Sequence, residues 1–158
     1  MSAAPPAVGD AAPDFTLVDQ LGTRRTLSEL VADRAVLVVF YPFAFSGICT
    51  GELRELRDER ERFDNPAVQA VAISCDPMFA LRAWDDAEAF FFPLLSDFWP
   101  HGEVARGYGV LEPSGGFARR GTFLVDRDMT IAWSLVNGPG ERRDFSGVDA
   151  AVAALPVG

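Results

Sequence analysis

Two hydrophobic rhythms alternate along the chain. Phe15-Thr16-Leu17-Val18 alternates apolar with polar and predicts a strand. Asp19 to Gly22 reads as a turn, with Gly22 free to take a positive φ. Thr26-Leu27-Ser28-Glu29 has the spacing of a capping box and predicts a short helix to about Val31. Ala35 to Tyr41 is unbroken and rich in β-branched residues, the pattern of a strand buried on both faces, and Pro42 ends it because it has no N–H for a ladder. After the loop Pro42–Ile48, Leu53, Leu56 and Phe63 fall on one face among Glu, Arg and Asp, predicting a helix from about Cys49 to Phe63. Val68–Ser74 is a second buried strand. Asp76-Pro77 predicts a capped helix to about Ala89. Phe91–Leu95 predicts a short strand, Ser96–Pro100 a loop and Gly102–Tyr108 a short helix. Thr122–Val125 and Thr130–Val136 form a hairpin across Asp126-Arg127-Asp128, and a helix of about Phe145–Leu155 follows.

Strands alternating with helices imply an α/β layer; the late hairpin makes its central sheet mixed. The 158 residues suit a single domain spanning 1–158, with residues 1–7 as a flexible N-terminal tail. Functional groups in such folds gather where strands end and helices begin, and Tyr41 to Cys49 is such a junction.

Composition narrows the function. Hydrophobic residues make up 49% and charged residues 23%, which excludes wholesale disorder. The net charge is −9 and every basic residue is Arg, so nucleic acid and anionic membrane surfaces are poor partners. Met1 to Pro13 has no basic start and no apolar core, so no signal peptide is expected there. The longest apolar run, Ala35 to Phe45, is interrupted by Pro42 and too short to span a bilayer. A cytoplasmic location is expected. Two cysteines, Cys49 and Cys75, and one histidine, His101, are too few for a disulfide scaffold or a closed Cys/His zinc site. Neither metal nor cofactor is expected.

Cys49 is the candidate reagent. It arrives at the first turn of a helix after a buried strand and a short loop, where unpartnered amides and the helix dipole favour a thiolate. Ser46, three residues earlier, can bring a hydroxyl to the sulfur, and Pro42 can fix the loop and shield it. In such settings a fall in thiol pKa from about 8.5 to about 6 raises the thiolate fraction at pH 7 roughly thirtyfold. That is worth only ~2 kcal/mol. Attack by a thiolate also places charge on a departing atom, and fixed donors there are worth about 2–4 kcal/mol each. A forked, permanently charged Arg is the natural donor, so a second segment must deliver one.

These residues resemble the peroxiredoxin family. Pro42-x-x-x-Ser46-x-x-Cys49 matches the motif Pro-x-x-x-(Thr/Ser)-x-x-Cys, and Ala11-x-Pro13-Asp14-Phe15, Phe92-Pro93-Leu94-Leu95-Ser96-Asp97 and Arg120-Gly121-Thr122-Phe123 are also similar. The likeness extends from about Val8 to Val152. Phe45–Leu53 and Ser96–Gly102 look most like the one-cysteine alkyl hydroperoxide reductase E type. The resemblance implies a thioredoxin-like fold with an N-terminal β extension, and a thiol-dependent peroxidase reducing hydrogen peroxide and organic hydroperoxides through a cysteine sulfenic acid. It implies Cys49 as the peroxidatic cysteine, Arg120 as the active-site arginine, Pro42 and Ser46 completing the site, and Glu52 orienting the arginine. It further implies a homodimer, reduced by a mycothiol-like small thiol with a mycoredoxin, or by a thioredoxin. Ser46 stands where that type more often has Thr, which keeps the hydroxyl and loses a methyl.

Other readings stay open at this level. Glu52 on a charge-rich helix can equally be a solvated residue. Cys75 is either a packing residue at a strand end or a resolving cysteine for Cys49, the latter making a two-cysteine peroxiredoxin. Arg54 stands at Cys49 plus five, where some relatives carry a resolving cysteine, so the one-cysteine mechanism is favoured. A module that senses oxidation without turnover is the alternative from another class. Phe43 and Phe45 can line an apolar substrate mouth or a dimer face. His101 reads as a surface or interface residue, and Phe90, Phe91, Phe92, Phe98 and Trp99 as core and interface.

Overall fold

A computed structural model describes residues 4–138 and 140–156. The expected tail, residues 1–7, lies partly outside these; Ala7 is tied back, its amide donating to Asp10 Oδ2 at 2.8 Å.

One seven-stranded sheet organises the chain. Its strands are β1 (Thr16–Val18), β2 (Arg24–Thr26), β3 (Ala35–Phe40), β4 (Val68–Ser74), β5 (Leu94–Ser96), β8 (Arg120–Val125) and β9 (Ile131–Asn137), in the order β2-β1-β5-β4-β3-β8-β9. Two further strands, β6 (Leu111–Glu112) and β7 (Phe117–Ala118), pair as a separate small hairpin. β3, β4 and β5 run parallel, whereas β8 and β9 are antiparallel to their neighbours. The mixed sheet and the late hairpin are as the sequence implies.

Strand β3 is interior, flanked by β4 and β8, with all six residues buried. Alternation sends its side chains to two cores. Val36, Val38 and Phe40 join Phe15, Leu27, Val31, Tyr108 and Phe123 on one face. Leu37, Val39 and Tyr41 join Cys49, Leu53, Leu56, Trp84, Leu124 and Phe145 on the other. Helices α1 (Leu27–Asp33) and α5 (Glu103–Gly107) cover the first face. The second carries α2 (Gly47–Asp58), α3 (Arg60–Phe63), α4 (Met78–Glu88) and α6 (Ser146–Ala153).

Several boundaries differ from expectation for physical reasons. The capping box at Thr26 does not form: its Oγ1 bonds Thr16 Oγ1 across β1 and β2 at 2.8 Å, and Asp14 Oδ1 accepts the Ser28 amide instead. The expected helix to Phe63 starts at Gly47 and breaks at Glu59 (φ −104°, ψ 43°). Beyond the break Phe63 packs edge-on to Phe145, with ring centroids 5.4 Å apart. The expected strand at Phe91 starts at Leu94, because Phe90 and Phe92 stack on each other and Phe90 meets Trp84. Asp76 does not cap α4, whose N-cap is Pro77.

Candidate active site

Antiparallel pairing brings the site together. Val39 of β3 faces Thr122 of β8, so the start of β8 lies beside the end of β3, where the chain turns toward α2. Arg120, two residues before Thr122, shares the face of Thr122 and Leu124. That is the face against which Cys49 is buried. Gly121, between Arg120 and Thr122, faces the other side of the sheet, where a Cβ on it would sit 2.8 Å from Val110.

Cys49 is the third residue of α2, directly in its first turn, after Ser46 at the N-cap. Its sulfur is fully buried. Arg120 Nη2 donates to Cys49 Sγ at 3.5 Å, and Arg120 Nη1 donates to Glu52 Oε1. Glu52, one turn beyond Cys49, is itself buried. Its other oxygen, Oε2, accepts the Arg143 amide at 3.0 Å and Arg143 Nε at 3.2 Å. Arg143 also donates to Gly121 O at 3.0 Å, to Thr122 Oγ1 at 2.8 Å and to Phe40 O. One carboxylate thus holds two guanidinium groups, and a Cys49 thiolate brings the buried charges to balance. Burial pushes the Arg143 guanidinium downward while Glu52 opposes it. An arginine nevertheless stays charged.

The expected residues fall as follows. Cys49, Arg120 and Glu52 meet, and the solvated reading of Glu52 is overturned by its burial and its two arginine partners. Ser46 lies at the mouth of α2, but its Oγ makes no bond to the sulfur; it is buried without a hydrogen-bond partner among the described residues. Pro42 lies in the loop to α2, separated from the end of β3 at Phe40 by Tyr41. Phe43 and Phe45 are both exposed and point to different neighbours: Phe43 lies on Phe117 of β7 (5.2 Å) and Phe45 on Trp84 (6.1 Å). His101 is exposed, with Nε2 at 2.6 Å from Gly116 O.

Cys75 is not brought to Cys49. Both are free thiols, and they belong to the cores on opposite faces of the sheet. Burial, then Asp97 and Asp76, push the Cys75 thiol up to about 12, and a backbone hydrogen bond to Ala118 only partly opposes this. Such a thiol stays protonated near neutrality and is a weak nucleophile.

Arg143 is the functional residue that sequence reasoning misses. It sits in Glu141-Arg142-Arg143-Asp144, a charge run that reads as solvated surface, and only the third dimension shows Arg143 turned inward while Arg142 is exposed.

The chain is similar to proteins that are already known. The sequence pattern of the AhpC/TSA family matches residues 8–134. An alkyl hydroperoxide reductase E of Mycobacterium tuberculosis is 48% identical over 148 residues, 94% of this chain and 97% of that protein. A chloroplastic 2-Cys peroxiredoxin of Hordeum vulgare is 31% identical, covering 95% of this chain and 75% of that protein. Among solved structures, peroxidoxin BcpB of Mycobacterium tuberculosis superposes with a TM-score of 0.80 at 33% identity, over 92% of this chain and 94% of that one.

Proposed function

The chain belongs to the AhpC/TSA family and is a thiol-dependent peroxidase; from that premise we propose that Cys49 is the peroxidatic nucleophile and Arg120 the group that binds and polarises the peroxide. The observation that carries this reading is the single guanidinium shared by Cys49 Sγ and Glu52. Glu52 fixes the fork from behind, so Arg120 need not reorganise when charge develops.

The Cys49 thiolate attacks the distal oxygen of a hydroperoxide. An S–O bond forms, the O–O bond breaks, and the departing alkoxide takes up the proton that the thiol gave up. The net change is thiol plus hydroperoxide to sulfenic acid plus alcohol. Arg120 Nη2, the first-turn amides of α2 and the unpartnered Ser46 hydroxyl converge on the two peroxide oxygens. Pro42, in the loop just beyond β3, shields this approach. A second thiol then attacks the sulfenic sulfur, forming a mixed disulfide and releasing water, and a further thiol frees Cys49.

A one-cysteine cycle fits the separation of Cys49 and Cys75 onto opposite faces. The incoming reductant is then a small thiol of the mycothiol type, cleared by a mycoredoxin, or a thioredoxin-type protein, in the cytoplasm. The exposed Phe43 and Phe45 favour organic hydroperoxides and extend toward a homodimer face. Stopped-flow oxidation by hydrogen peroxide of the wild type, Cys49→Ser and Cys75→Ser tests the assignment. Loss of the reaction only in Cys49→Ser is expected; reaction surviving in Cys49→Ser defeats it.

A further inference from the structure

We propose that Asp76 is a positioning residue that latches the loop presenting Cys49. The sequence pattern Asp76-Pro77 suggests a helix cap, but the carboxylate turns away from α4 and reaches the loop after β3. Asp76 Oδ2 accepts the Ala44 amide at 2.8 Å. The same oxygen accepts Ser74 Oγ at 2.7 Å. Asp76 is itself anchored, because its carbonyl accepts Ser96 Oγ at 2.7 Å and Ser74 O accepts the Asp97 amide at 2.8 Å. The ends of β4 and β5 thus anchor Asp76, and its carboxylate holds the middle of the Pro42–Ser46 loop.

The loop needs such a hold. Phe45, next to Ala44, adopts a left-handed φ of 69°, which is unfavourable for a side chain with a Cβ. Its ring rests on Trp84, and Ser46 closes the loop with only a long amide bond of 3.4 Å to Phe43 O. A carboxylate acceptor is stronger than a neutral one, so Asp76 is suited to keep this strained turn in place.

The two half-reactions need opposite things from the loop. Oxidation needs Ser46 and the first-turn amides held around the sulfur. Reduction needs more room, because Cys49 is fully buried and an incoming thiol is bulkier than hydrogen peroxide, so it gains from a loop that can move. Asp76 therefore favours the first step and restrains the second. This inference rests on the peroxidase reading of Cys49.

Single-turnover stopped flow on the full chain separates the steps, using hydrogen peroxide for oxidation and free cysteine for reduction of the preformed sulfenic acid. Asp76→Ala is expected to slow oxidation by about ten- to a hundredfold, the worth of one hydrogen bond to a charged group, without slowing reduction. Asp76→Asn still offers an oxygen to the Ala44 amide and is expected to recover most of the oxidation rate. Wild-type oxidation in Asp76→Ala, or equal slowing of both steps, overturns the latch while leaving the peroxidase reading intact. Should Asp76→Ala not fold, Asp76→Ser, whose side chain is one bond shorter than the carboxylate that holds the Ala44 amide, carries the test. A modest slowing of oxidation alone, with faster hydrogen exchange at the Ala44 amide, supports the latch; no change in either overturns it. A wild type inert to peroxide defeats the peroxidase reading itself.

Discussion

Arg120 and Arg143 hold opposite oxygens of the Glu52 carboxylate, and only Arg120 goes on to donate to the sulfur of Cys49. The two arginines therefore have different tasks. Arg143 is buried among carbonyl and hydroxyl acceptors and sets the carboxylate. Arg120 faces the Cys49 sulfur, the proposed reacting atom.

Replacing Arg120 by Ala removes a fixed donor from the developing alkoxide. The second-order rate with hydrogen peroxide is expected to fall by about 10²–10³. Arg120→Lys restores charge but not the fork, so its rate should lie between the two. Rapid-mixing kinetics under excess peroxide gives the ranking.

Removing Glu52 strands two guanidinium groups beside each other in the core. Glu52→Ala is expected to lose about 3–5 kcal/mol of stability. Urea unfolding reads this, and the peroxide rate should drop in the same variant because Arg120 loses its orientation. A loss below about 1 kcal/mol would mean that the carboxylate is not the keystone of the cluster.

Cys75 links to pH rather than to turnover. Its folded thiol is pushed up to about 12, chiefly by burial, against an ordinary thiol value of about 8.5 in the unfolded chain. A raised folded pKa contributes stability that is full below the unfolded value and is lost as pH rises through the folded one. The wild type should thus lose stability relative to Cys75→Ser between about pH 8.5 and about 12. Steady-state peroxidase activity at neutral pH should be the same in both. Denaturation midpoints across that range, set beside one activity assay, check both halves.

Phe43 lies on Phe117 of the small β6–β7 hairpin, so a substrate mouth built on Phe43 would combine two distant segments. Phe43→Ala should narrow the preference for a long-chain organic hydroperoxide over hydrogen peroxide, by up to the roughly 1.5–3 kcal/mol of one buried apolar side chain. The ratio of the two second-order rates, measured before and after substitution, is the readout. An unchanged ratio would remove Phe43 from the mouth.

What the sequence reveals follows from what its signals measure. Ala35–Phe40 and Val68–Ser74 are found because doubly buried strands are continuously apolar. Cys49, Ser46 and Pro42 share one local motif, and Arg120 lies in a recognisable second one. The strand β2 escapes notice because Arg24-Arg25-Thr26 is an edge with no apolar rhythm. The strands β6 and β7 have two residues each, too few for any period. Thr26 and Asp76 both carry cap patterns, yet each finds a tertiary partner instead, Thr16 and Ala44 respectively. Arg143 is hidden for the same reason: a local charge run does not disclose which of its members turns inward.

In the proposed mechanism Cys49 alone takes the peroxide oxygen, without help from Cys75. Intact mass after one equivalent of hydroperoxide, in the absence of reductant, tests this most directly. The account predicts a gain of ~16 Da for one oxygen in the wild type and in Cys75→Ser, and no gain in Cys49→Ser. A loss of ~2 Da in the wild type, the signature of a disulfide, would contradict it.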